Sequence, residues 1–243
     1  MVERISAASP RLKARIAGVF YLITFVTAIF SEFFVQARLV VDGDAATTAT
    51  NILAHEFMFR SAVAAGLIGI ASYVAVTALL YELLKPVNRS LSLLAAFFSL
   101  MGCALWFVGC VFRLAVFVVL GGAQYLSVFK PEQLQALALV FLKLNGRAFS
   151  VGMVLFGFYC LLLGYLIFRS TFMPRILGML VAIAGLGDLI GTFANFLSPT
   201  FAHHLDPYIG LPALIGELSL MLWLLVIGVN VSRWKELGRQ VVD

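Results

Sequence analysis

Six apolar runs organise this chain: Ile16 to Val35, Ser61 to Leu84, Leu91 to Leu120, Ala148 to Phe168, Ile176 to Leu197 and Leu211 to Val229. A helix needs about 20 consecutive apolar residues to cross a bilayer, and each run meets that length. The Leu91 run is longer, which predicts tilt or an extension past the interface. The runs are continuous and do not alternate apolar with polar positions, so they exclude a transmembrane β-barrel. The predicted class is all-α: a polytopic bundle of six transmembrane helices in a single integral membrane domain over residues 1–243. The first run follows Arg4, Arg11, Lys13 and Arg15, as a signal peptide would. Its apolar stretch exceeds the roughly 7–15 residues of a signal core, so it reads as a retained helix.

The polar stretches between the runs differ in kind. Lys85 to Ser90 and Arg169 to Arg175 are short and basic. Asp42-Gly43-Asp44 is a turn signal with Asp44 as a helix N-cap. After it, Thr47, Thr48, Asn51 and His55 recur at helical spacing. Pro131 marks another helix start, Leu134, Leu137, Phe141 and Leu144 share a face, and Asn145-Gly146 is expected to end that helix. Both segments are predicted to be amphipathic helices on the outer side, as connectors against lipid or as a lid over a cavity.

Composition agrees with lipid as the solvent: 62% of residues are hydrophobic and 12% charged, against roughly 25% charged in soluble domains. The net charge of +5 does not gather into the basic stripe that nucleic acid requires. Of the Lys and Arg residues, eleven fall on the side of the termini, five on the other side (Arg38, Arg60, Lys130, Lys143, Arg147), and Arg113 falls within a run. The positive-inside rule then predicts cytoplasmic termini. Cys103, Cys110 and Cys160 lie inside apolar runs, form no CxxC and read as packing residues.

Several stretches resemble one family: Ser31 to Val35 (SEFFV), Asp42 to Leu53 (DGDAATTATNIL), Leu83 to Phe98 (LLKPVNRSLSLLAAFF), Gln133 to Phe141 (QLQALALVF), Gly164 to Ile190, which contains FRSTFMPRILG, and Pro212 to Val229 (PALIGELSLMLWLLVIGV). Together they are similar to the bacterial membrane-protein family known as domain of unknown function 4386, over nearly the whole chain. The resemblance implies a multi-helix protein of the bacterial inner membrane. It implies no activity, and so no residue role.

The candidate chemistry is a charged layer. By depth along alternating helices, Glu32, Arg60, Arg113, Arg147, Asp188 and Glu217 are expected at similar height in the outer half of the bundle. A charge at the centre of a membrane helix costs roughly 2.5–3.5 kcal/mol on insertion scales. Arg113, Asp188 and Glu217 should therefore face the interior, and Arg113 is expected to pair with Glu217 or Asp188. Glu82 is expected to pair with Lys85. The layer either fixes helix packing or binds or transports a small anionic or carboxylated ligand. A metal-dependent intramembrane hydrolase is the third reading, with His55, His203 and His204 as weak zinc ligands. No HExxH, GxSxG or nucleotide-binding motif is present, so no catalytic residue is assigned, no cofactor is expected, and an enzyme is the less favoured reading. The expected partners are the lipid bilayer, a small-molecule ligand and a second copy of the chain. Small-residue faces at Ser61/Ala65/Gly69 and Gly187/Gly191 are expected to pack helices closely.

Overall fold

The computed structural model describes residues 9–240, without the side chains of Pro199, His203, Asp206, Pro207, Ile209 and Gln240. The fold is all-α, with no strand among the described residues. We number the helices α1 (Pro10–Leu39), α2 (Ala45–Ala54), α3 (Glu56–Leu84), α4 (Arg89–Leu120), α5 (Pro131–Arg169), α6 (Arg175–Leu197), α7 (Pro199–Val226) and α8 (Val231–Gln240). Five of them, α1 and α3 to α6, are long and apolar enough to cross a membrane. The sixth expected span lies in α7, where Gly210–Val226 is followed, after a 99° bend, by Val231–Arg239. Large apolar side chains such as Phe33, Phe57, Ile68, Val111 and Ile183 are exposed. On a water-facing protein so many would drive association, whereas lipid accepts them.

Two expectations change. The amphipathic segment after Pro131 is not a separate helix; it continues through Asn145-Gly146 as the first part of the 39-residue α5. Glycine inside a helix costs only about 1 kcal/mol against alanine. That cost is offset here by packing, for the Asn145 side chain lies against Gly109 of α4, where a Cβ would meet its Oδ1 at 2.7 Å. The second change is in α1, which winds as a π-helix from Phe30 to Gln36.

The chain divides into two compact units. One gathers residues 9–22, Tyr73–Gly102 and residues 151–240; the other holds Ile23–Ser72 and Cys103–Ser150.

In the first unit, α5 and α6 press together through glycines. A Cβ on Gly164 would lie 2.6 Å from the Gly178 carbonyl oxygen, and one on Gly178 would lie 2.5 Å from that of Gly164. Seven residues along each helix, Gly157 and Gly185 repeat the contact. These glycines stand outside the expected Gly187/Gly191 pair. Gly228, at φ 76°, closes α7, its N–H and that of Ile227 both donating to the Trp223 carbonyl, a glycine C-cap. The chain then turns into α8, held by Trp234 Nε1 donating to the Leu83 carbonyl at 2.8 Å and Arg233 donating to that of Thr171 at 3.2 Å. Glu82 takes Lys85 as expected at 2.8 Å, and the buried Lys13 at 3.5 Å.

In the second unit, the Asp42-Gly43-Asp44 turn forms as expected, with Gly43 at φ 79°. Asp44 caps α2, accepting from the Thr47 hydroxyl at 2.6 Å and the Thr47 N–H at 2.9 Å. These bonds, the hydroxyl's first, hold its carboxyl below the usual aspartate range. A carboxyl shifted down on folding stabilises the folded state above its unfolded pKa of about 3.9. The contribution disappears as pH falls through the lower folded value. Amide exchange in α2 should accordingly accelerate on acidification below about pH 4, relative to an Asp44→Asn protein, whose α2 should show no such step. Gly69 of the expected small-residue face does pack closely: Thr24 of α1 donates to its carbonyl at 3.1 Å, and a Cβ there would overlap the Thr27 hydroxyl.

Candidate functional site

Within the first unit, three side chains that can hold a cation converge. Cys160 of α5, Asp188 of α6 and Glu217 of α7 each offer a ligand atom, and these atoms all lie within 4.8 Å of one another. Glycines make this possible. A Cβ on Gly185 would stand 2.8 Å from the Cβ of Cys160, so α6 reaches α5 just where the thiol sits. Gly185 and Asp188 are three residues apart and so share a helix face. Gly216, beside Glu217, lies against α6, where a Cβ would be 2.6 Å from the Leu180 carbonyl oxygen and 2.9 Å from the Ala184 Cβ. Gly18 of α1 meets the α7 backbone at Leu225, where a Cβ would be 2.5 Å from the nitrogen. One turn on, Tyr21 donates to Glu217 Oε2 at 3.4 Å.

The surroundings are apolar and aromatic. Tyr21, Tyr73 and Tyr159 are each 2% exposed, and Tyr73 meets Tyr21 edge-on at 5.4 Å between centroids and Tyr159 at 6.3 Å. Asp188 is 7% exposed, and its Oδ2 has no hydrogen-bond partner among the described residues. Neither Asp188 nor Glu217 joins any of the ion pairs formed by described residues. Two carboxylates within 4.8 Å of one another repel by at least about 3.5 kcal/mol at an effective dielectric of 20. The centre therefore calls for positive charge, as protons or as a metal ion.

The second unit carries a separate polar node. Arg113 of α4, 4% exposed, donates to the Ser31 hydroxyl at 2.6 Å, to Glu32 Oε1 at 2.6 Å and to Gln36 Oε1. All three acceptors belong to the π-wound stretch of α1, where the Ala37 N–H reaches back to the Glu32 carbonyl. An i→i+5 repeat brings Ser31 and Gln36 to one side, which an α-helix would not do.

The model of the family described as Domain of unknown function (DUF4386) matches residues 16–228. This chain belongs to the DUF4386 family. It is similar to an uncharacterised protein of Archaeoglobus fulgidus (strain ATCC 49558 / DSM 4304 / JCM 9628 / NBRC 100126 / VC-16), 26% identical over 159 residues, 65% of this chain and 78% of that protein. No solved structure matches it.

The six charged candidates of this DUF4386 protein divide between its units. Asp188 and Glu217 meet in the first, while Glu32, Arg60, Arg113 and Arg147 belong to the second. Arg113 accordingly takes Glu32, not Glu217 or Asp188, because Glu32 is the carboxylate that α1 presents to it within its own unit. Arg60 is exposed, pairs with Glu56 one turn away at 2.6 Å, and its guanidinium lies 4.0 Å over the Phe117 ring. Arg147 is exposed. His55 and His204 are exposed, and each sets Nδ1 against the carbonyl four residues back, Asn51 and Thr200. The His203 side chain lies outside the described residues. The acidic centre also includes members the sequence reading did not single out: Cys160 reads as packing, and Tyr21 sits inside an apolar run. A signal for Cys160 exists only in three dimensions, through the Gly185 contact.

Proposed function

We propose that this protein is a cation-binding membrane protein of a prokaryotic cytoplasmic membrane, with Asp188 and Glu217 as its binding carboxylates and both termini on the cytoplasmic side. The observation that carries this reading is the convergence of two carboxylates in a buried aromatic setting, with no cationic side chain paired to either among the described residues. Ionisable residues inside membrane helices tend to mark ion or proton pathways. The excess of Lys and Arg on the side of the termini supports the orientation.

Arg113 as a receptor for an anionic or carboxylated ligand draws less support, since Glu32 already neutralises it and Ser31 and Gln36 occupy two more of its donors. The geometry favours a structural role for that node.

The test is thermal unfolding of purified protein in lipid nanodiscs against Na⁺, K⁺, Mg²⁺, Ca²⁺, Mn²⁺ and Zn²⁺. A cation bound only by the folded state adds about 2.7 kcal/mol of stability at a hundred times its dissociation constant. At least one cation should raise the transition temperature of the wild type, and Asp188→Asn and Glu217→Gln should abolish the rise. A wild type indifferent to all six would overturn the reading.

A further inference from the structure

We propose that the Cys160–Asp188–Glu217 centre takes a thiophilic divalent metal ion of the zinc class, with Cys160 as a thiolate ligand. This rests on the cation-binding reading above and names the kind of cation. Three observations carry it. The sulfur and two carboxylate oxygens already lie within 4.8 Å of one another. Tetrahedral zinc with bonds of roughly 2.0–2.3 Å sets its ligand atoms about 3.3–3.8 Å apart, so modest side-chain rotations close the set. Asp188 Oδ2, on a residue 93% buried, has no partner among the described residues, which leaves a ligand atom free to coordinate. And the donor set is mixed. Magnesium and calcium favour six or more oxygen ligands, which this centre does not offer. A sulfur with two carboxylate oxygens suits zinc and its cobalt and cadmium substitutes.

Binding displaces the Cys160 thiol proton to solvent and forms a metal–sulfur bond, with no change in oxidation state. The Tyr21 hydroxyl, donating to Glu217 at 3.4 Å, orients that ligand from behind, as outer partners of metal ligands do. Three protein ligands leave a fourth position for water or an incoming group, the arrangement of exchangeable zinc sites. Cys103 and Cys110 are buried as well, but neither joins the acidic group.

The experiment is a Co²⁺ titration of metal-free protein in nanodiscs, followed by absorption, in a Cys103→Ala/Cys110→Ala background that retains Cys160. The expected result is one Co²⁺ per chain with a sulfur-to-cobalt charge-transfer band, displaced by Zn²⁺ and absent after Cys160→Ser. Tyr21→Phe should weaken binding roughly 10–100-fold while keeping the band. Should Cys160→Ser not fold, the band in the double-alanine protein decides alone. Cation binding without the band, or only of Na⁺, Mg²⁺ or Ca²⁺, overturns this inference and leaves the cation-binding reading standing. No binding of any cation overturns both.

Discussion

Glu32→Ala should destabilise the protein by about 3–5 kcal/mol, more than Arg113→Leu does, although the two residues form one ion pair. The asymmetry follows from their burial. The Arg113 side chain is 5% exposed and that of Glu32 49%. Removing the carboxylate strands a buried guanidinium whose Nε already lacks a partner among the described residues. Removing the guanidinium frees a carboxylate that is already half exposed, leaves Ser31 and Gln36 without their donor, and costs about 1–3 kcal/mol. The double variant should lie near Arg113→Leu, well short of the sum, because the stranded charge is gone. Chemical denaturation in mixed micelles measures all three. Arg113→Leu proving the costlier single change would mean that the node is held by the three acceptors' packing and not by compensation of Arg113.

Gly178→Val is the other large effect. Its new Cβ would meet the Gly164 carbonyl oxygen at 2.5 Å, the Phe168 nitrogen at 2.5 Å and the Phe168 Cα at 3.0 Å. All are backbone atoms that cannot rotate aside, and α5 and α6 would have to separate. Overpacking costs typically about 1–3 kcal/mol, and a clash with backbone on both contacts belongs at or above the top of that range. Because the same two helices carry Cys160 and Asp188, cation-dependent stabilisation should fall together with stability. Gly146→Ala is the opposite control: nothing lies within 4 Å of its Cβ position. Within α5, alanine should stabilise by about 0.5–1 kcal/mol. Thermal melts that rank Gly146→Ala below the wild type, or Gly178→Val level with it, would contradict the packing described for α5 and α6.

Much of the architecture was legible because lipid imposes a simple rule: long apolar runs become helices. The Asp44 cap, the Gly43 turn and the Lys85–Glu82 pair are local, and local patterns carry their own evidence. The choice of partner for Arg113 is not local. Depth along the chain puts Glu32, Asp188 and Glu217 on equal terms, and only helix packing selects among them. The end expected at Asn145-Gly146 failed because a favourable contact with Gly109 outweighs a weak intrinsic preference. Cys160 carries no local signal for a related reason. A thiol in an apolar run resembles every other small core residue until Gly185 brings a carboxylate-bearing helix against it. Nothing in FSEFFVQ announces a π-helix, since its residues suit an α-helix equally well.

That wider winding has a consequence for the length of the first helix. It accommodates one residue more than an ordinary turn, so removing a single residue at Phe33 or Phe34 would let the backbone relax to regular pitch. Ser31 and Gln36 would then stand four residues apart, the spacing that keeps two side chains on one face of an α-helix. The segment would still be long enough to cross a bilayer, and it would greet the guanidinium with both acceptors in place.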